Sequence, residues 1–187
     1  MRLFLIVFGL FIATKSFSQS DTTITLQAIT GLQYDLVRIA VKPLQKVTII
    51  LKNEDDMAHK LVFTKQDKRL SVVEAAIKMG DKGQAANYVP ESEDVLAASK
   101  ILIPNTTQTF TFTAPSTEGA YPYVCTYPGH GYVMYGALYV TTKPLPPLAT
   151  DPNIPPSRQN TEIIVSSPHP FALEYPLLYR TFMPDCS

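Results

Sequence analysis

The chain is predicted to fold as an all-β Greek-key β-sandwich with a short helical flap insertion and a Pro-rich C-terminal tail, and three observations carry that reading. From Asp21 to Thr142, short runs alternate apolar with polar residues, the period-two pattern of strands that bury one face. Turn residues bound these runs, and seven or so of them in about 120 residues fit a Greek-key sandwich. The rhythm ends abruptly, because 10 of the 16 prolines lie in residues 143–187, where proline at that density prevents ladder hydrogen bonding.

The elements follow in chain order. Arg2 precedes an apolar run from Leu3 to Ala13, 11 residues long, too short for a membrane span of about 20. With small residues at Ser16 and Ser18 it reads as a secretory signal peptide over residues 1–18, cleaved after Ser18. An anchor retained behind Lys15 is the alternative. With the segment cleaved, the mature chain is expected to have no membrane span and a periplasmic or secreted location. Ile24, Leu26 and Ala28 begin the alternation, followed by Val37, Ile39 and Val41 and by Val47, Ile49 and Leu51. Leu61 to Thr64, the run with Phe110 and Phe112, Tyr121 to Thr126 and Gly136 to Thr141 supply the later strands.

One insertion interrupts them. Ser71-Val72-Val73-Glu74 has the form of a capping box, and Gly80 closes the apolar set Val73, Ala76, Ile77 and Met79, so a short helix is expected there. A second helical turn is expected over Ser92 to Ser99, making residues 67–100 a flap across an end or edge of the sheets. After Thr142, residues 143–160 read as a linker. Glu162 to Ser166 and the apolar group Phe171, Tyr175, Leu177, Leu178, Tyr179 and Phe182 read as a tail that docks on the domain or on a partner.

Composition narrows the function. Sixteen basic residues balance sixteen acidic ones, which removes the electrostatic basis for nucleic-acid binding. Two cysteines, Cys125 and Cys186, are too few for a disulfide scaffold or a four-cysteine zinc site. There is no Gly-rich phosphate loop and no Ser/His/Asp set for hydrolysis. Glu54, Asp55 and Asp56 read as a solvated turn.

The chemistry lies in Cys125-Thr126-Tyr127-Pro128-Gly129-His130 and in Met134 beyond it, a Cys-x4-His-x3-Met spacing in a loop between two strands. Thiolate and thioether favour Cu(I), imidazole serves both copper states, and a His2Cys set with a distant Met is the electron-transfer copper site. Taken singly, Cys125 reads as a buried structural cysteine or a partner for Cys186, and Met134 as core filler. The spacing of Cys125, His130 and Met134 together selects copper. His59, just before the strand Leu61 to Thr64, is the candidate for the second imidazole. His169 and Cys186 lack ligand spacing.

These residues resemble the ligand loop of the cupredoxins, the blue or type 1 copper proteins, and in particular the azurin and auracyanin branch, where Cys-Thr-Phe-Pro-Gly-His is followed by three residues and Met. The resemblance spans residues 21–142, includes Ala85-Ala86-Asn87-Tyr88-Val89-Pro90 in the flap, and makes this stretch a cupredoxin-like copper-binding domain. It implies one copper ion held by His59, Cys125 and His130, with Met134 as a weak axial ligand and the Ala58 carbonyl as a further contact. Azurins usually carry Gly at that last position.

Around the metal, the resemblance gives backbone N–H groups of Lys60 and Tyr127 to the sulfur and places Thr126 beside the ligands. Lys60 stands where relatives carry Asn, so the side-chain tie between ligand loops is expected to be lost. A solvent-exposed Lys60 is expected to favour Cu(I) in a salt-dependent way. Met57, Pro128, Gly129 and Tyr132 are expected to form an apolar docking patch around the His130 ring edge. The function implied is exported single-electron transfer, without enzymatic catalysis, between redox proteins such as c-type cytochromes. Copper storage or delivery, or a role as the electron-input module of a larger redox assembly, are the alternatives. A catalytic copper of the nitrite-reductase kind would need more histidines than His169 provides.

Overall fold

Alternation is strongest in the strands that form the middle of the first sheet. In the computed structural model, which describes residues 21–159, β1 (Thr22–Ile29) and β4 (Lys46–Asn53) run parallel, with Thr22 opposite Val47 and Ala28 opposite Asn53. Val47, Ile49 and Leu51 point inward and are buried, each contributing about 1.5–3 kcal/mol relative to exposure. The two-residue β2 (Gln33–Tyr34) pairs with β1, and β7 (Thr107–Thr113) pairs antiparallel with β4, giving the order β2-β1-β4-β7.

The second sheet has five strands, with β3, β9, β8 and β5 in that order followed at its edge by Val95–Ala98, β6. Here β3 (Arg38–Val41) lies parallel to β9 (Tyr135–Val140), which pairs antiparallel with β8 (Gly119–Val124), which pairs antiparallel with β5 (Val62–Thr64). All seven expected strands are present. Between the sheets, Phe63 meets Phe112 at 4.6 Å and Tyr123 at 5.6 Å between ring centroids, and Leu26, Ile49, Leu61 and Leu138 fill the same core.

Two expectations in the flap are corrected. The helix α1 spans Arg69–Lys78 and starts before the proposed box, with Lys68 at its N-cap and no side-chain cap. Ser71 Oγ instead donates to the Lys68 carbonyl. Tertiary contacts recruit the extra residues, because Arg69 lies 3.8 Å from the Tyr135 ring centroid and donates to the Gly131 carbonyl at 2.9 Å. Val72 and Val73 then cover Val62 and Val124 on the outer face of the second sheet. The segment read as a second helical turn is a strand, β6 (Val95–Ala98), antiparallel to β5. An open β5 edge needs backbone partners, and this requirement overrides the weak strand propensity of Leu-Ala-Ala.

Residues 143–159 pack against the sandwich instead of standing off it as a spacer. Ile154 is buried with Val37, Ala137 and Tyr139. Asp151 accepts a hydrogen bond from Tyr139 and lies 3.6 Å from Arg38. Arg158 donates to Gln33 Oε1 at 2.7 Å, to the Tyr34 carbonyl at 2.8 Å and to the Asp35 carbonyl at 3.0 Å. The signal segment, the strand read at Glu162 to Ser166, the apolar group from Phe171 to Phe182, His169 and Cys186 lie outside the described residues. Among the described residues no helix is long and apolar enough to cross a membrane.

Arg158→Ala strands two backbone carbonyls, one of them buried, and is expected to cost about 2–3 kcal/mol of unfolding free energy. Urea titration checks this. Deleting residues 143–187 is expected to cost more than deleting residues 160–187, with the optical spectrum of the copper-loaded protein retained in both.

Candidate metal centre

The β5–β8 pairing sets the geometry. Val62 lies opposite Val124, so Cys125, the next residue along β8, is brought to the segment that precedes β5, where His59 and Lys60 stand. His59 is locked there by its own backbone, which exchanges two hydrogen bonds with Leu102, at 3.0 Å and 2.7 Å. From Cys125 the chain turns back through the loop to β9. Gly129 takes φ +83°, a left-handed conformation that suits glycine. The His130 N–H bonds the Tyr127 carbonyl, the Met134 N–H bonds the His130 carbonyl, and the Cys125 N–H bonds the Met134 carbonyl at 3.0 Å. At Gly131 a Cβ would stand 2.5 Å from Val73 Cγ2 and 3.0 Å from the Cys125 carbonyl, so α1 sits directly on the loop.

The donors of His59, Cys125 and His130 all lie within 4.8 Å of one another. Cys125 Sγ is 3.6 Å from His130 Nδ1 and 4.0 Å from His59 Nδ1. Cys125, His59 and Met134 are fully buried, and His130 is 8% exposed. Burial pushes the Cys125 thiol up to about 11, although N–H groups of Lys60 and Tyr127 at the sulfur and the Lys60 charge pull it down. Burial and the neighbouring His59 lower the His130 pKa, against the pull of Asp55. One thiol sulfur and two imidazoles in one buried cluster, with a thioether in the same loop, match the donor chemistry of copper.

With this geometry the comparison with known proteins is direct. The family described as copper binding proteins, plastocyanin/azurin family, matches residues 21–141. The chain belongs to that family. Auracyanin-A of Chloroflexus aurantiacus is 34% identical to this cupredoxin over 113 residues, 58% of this chain and 67% of the relative. The solved structure of auracyanin A, a "blue" copper protein from that bacterium, superimposes with a TM-score of 0.58 at 33% identity, covering 64% of this chain and 98% of the other. Dithionite-reduced auracyanin from Roseiflexus castenholzii gives 0.57 at 32% identity, covering 66% and 98%. Copper is therefore the metal of this cupredoxin.

The surroundings differ from expectation at three residues. Lys60 is not exposed: it is fully buried, and its Nζ donates to the Asn87 carbonyl and, at 3.4 Å, to that of Ser99. Burial lowers its pKa to about 8, with Cys125 acting in the opposite sense. The side-chain tie between segments is thus replaced, with Thr126 Oγ1 adding a bond to the Tyr88 carbonyl at 2.7 Å. Asn87 and Tyr88 both have positive φ, 53° and 48°, which turns their successive carbonyls toward Lys60 and Thr126. Asparagine tolerates that conformation, whereas tyrosine adopts it at a cost.

Asp55, read as part of a solvated turn, is buried and lies 2.8 Å from His59 Nε2. The i, i+4 spacing from Asp55 to His59 was its only trace in the sequence. Of the residues expected at the docking patch, Met57 is 40% and Tyr132 51% exposed, and Pro128 and Gly129 are exposed as well. Val133, in the same loop as Tyr132 and not among the expected residues, is 52% exposed.

Two measurements test this description. Since the metal-free site holds a thiol at pH 7, copper uptake by the metal-free protein is expected to release about one proton from Cys125, read with a pH indicator in weak buffer. A Cys125→Ser variant should not release it. Lys60→Gln removes a buried cation that favours the less positive Cu(I) state, so the reduction potential should fall. At a separation of ~8 Å and an effective dielectric of 20 the effect is about 2 kcal/mol. Because Lys60 is buried, voltammograms at low and high salt should show nearly the same shift.

Proposed function

We propose that this cupredoxin is an exported carrier of single electrons. His59 and His130 would supply imidazole Nδ1 atoms to copper, Cys125 a thiolate, Met134 a weakly bound thioether and the Ala58 carbonyl a further oxygen. The observation that carries the reading is the approach of one soft sulfur and two imidazole donors to within 4.8 Å of one another in a buried site. Copper bound there supplies a one-electron Cu(I)/Cu(II) couple.

The chain's own part is to hold the donors still and to limit access by water. The Leu102 bridge, the Cys125–Met134 bond and the ties to Asn87 and Tyr88 fix the ligand segments whether the site is oxidised or reduced. Fixed donors keep reorganisation small, and N–H groups of Lys60 and Tyr127 at the sulfur withdraw charge from it and favour reduction. His130, the least buried of the three donors, is the exit for the electron. Met57, Pro128, Gly129 and Tyr132, joined by Val133, form an apolar rim suited to brief contact with a redox protein such as a c-type cytochrome. Export follows from the signal-like segment at residues 1–18, and a solved relative described as a "blue" copper protein supports the electron-transfer reading.

The copper-loaded protein is expected to be intensely coloured when oxidised, and Cys125→Ser to lose the colour. An equally intense band in Cys125→Ser would refute the thiolate assignment. His59→Ala should open a coordination position that added imidazole fills, restoring much of the spectrum. Reversible one-electron voltammetry with copper retained supports a carrier, whereas release of copper on cycling supports storage or delivery.

A further inference from the structure

The loop between β4 and β5 holds a buried carboxylate that the ligand set does not explain. The side chains of Asp55 and His59 are each 1% exposed, and Asp55 Oδ2 stands 2.8 Å from His59 Nε2. Asp55 Oδ1 accepts the Asp56 N–H at 2.9 Å, and the Asp55 N–H donates to Asn53 Oδ1 at 3.1 Å. Asn53 Nδ2 in turn donates to the Met57 and Leu102 carbonyls at 2.7 Å and 3.0 Å. Both carboxylate oxygens are therefore engaged, and the loop that carries them is pinned at both ends.

With Oδ1 accepting the Asp56 N–H and Oδ2 facing His59 Nε2, Asp55 is placed as a carboxylate whose two oxygens each meet a ring or backbone nitrogen. An ionised carboxylate only accepts hydrogen bonds, so Nε2 of His59 must carry a hydrogen. Neutral imidazole has one such hydrogen, which leaves the lone pair on Nδ1, the atom that faces Cys125 Sγ at 4.0 Å. A carboxylate on the outer nitrogen of a metal-binding histidine fixes its ring and makes it a stronger donor.

We propose that Asp55 is a positioning residue of the copper centre: it holds His59 in the tautomer that presents Nδ1 to the metal, and its buried negative charge favours Cu(II) over Cu(I). The tautomer follows from the Asp55–His59 contact alone, whereas the effect on the potential rests on the electron-carrier reading above. Lys60, the buried cation next in sequence to His59, favours the opposite oxidation state, so the potential reflects both. Substituting Asp55 alone isolates its share.

The experiment uses the full chain and two variants. Asp55→Asn retains an oxygen acceptor of similar shape without the charge, and Asp55→Ala removes both. In Asp55→Asn the colour should persist while the potential rises by about 59 mV or more, a tenfold shift of the one-electron equilibrium. In Asp55→Ala copper should be held about 10- to 100-fold less tightly. A merely structural Asp55 would leave the potential of a coloured Asp55→Asn protein unchanged, and that result overturns the charge effect.

Nitrogen-15 NMR of the metal-free wild-type protein reads the tautomer directly and requires no variant to fold. A hydrogen on His59 Nε2 is expected, with both tautomers populated in Asp55→Ala. A hydrogen on Nδ1 in the wild type would overturn the positioning role. Failure of the wild-type protein to take up copper would sink the carrier reading and leave the NMR result standing.

Discussion

Donors from two segments of chain must converge on one point, and the pairing of β5 with β8 is the interaction that makes them do so. His59 and Cys125 are 66 residues apart in sequence, and the Val62–Val124 register carries both to the same end of the second sheet. A one-residue slip would invert every side chain of β5 relative to the core, which is resisted by Phe63 packed against Phe112 and Tyr123. The core thus specifies the register, and the register specifies the metal centre. His130 and Met134 add no long-range requirement, because the loop that brings them closes locally on Cys125.

A register alone places donors only coarsely, and the polar contacts around the site refine that placement. Asn53 and Asp55 hold the loop before His59, the Leu102 bridge holds His59 itself, and Lys60 and Thr126 tie the ligand segments to the Asn87–Tyr88 turn. The left-handed conformation of Tyr88 is tolerated where its carbonyl has a buried partner to meet. Asp55 and Lys60 are of opposite sign and both buried. Each costs desolvation free energy unless its polar atoms find partners, and here each is hydrogen-bonded. Copper centres are sensitive to such charges because low exposure reduces screening.

The strap of residues 143–159 extends the fold beyond the stretch shared with the family. Arg158 bonds the backbone of Tyr34 and Asp35, and the Tyr34 hydroxyl in turn donates to the carbonyl of Lys60. A continuous set of contacts therefore joins the strap to the segment beside the copper ligands. Its consequence is mechanical support: Ile154 and Asp151 cover an outer face of the second sheet that Val37, Ala137 and Tyr139 would otherwise expose.

The sequence by itself determined the sandwich, its seven main strands and the copper chemistry of the ligand loop, because these depend on patterns a few residues long. Period-two alternation reports a buried face, and Cys125, His130 and Met134 lie within one turn-closed loop whose spacing is local. Tertiary structure decided everything that depends on a partner distant in the chain. The start of α1 is set by Arg69 against Tyr135, and β6 exists because β5 has an edge to be paired. Lys60 and Asp55 look like solvated charges in a linear reading and become buried determinants of the site, since burial is conferred by what packs over a residue and not by its neighbours in sequence. The same holds for the prolines after Thr142, whose composition suggests a spacer until Arg158 finds the carbonyls of Tyr34 and Asp35.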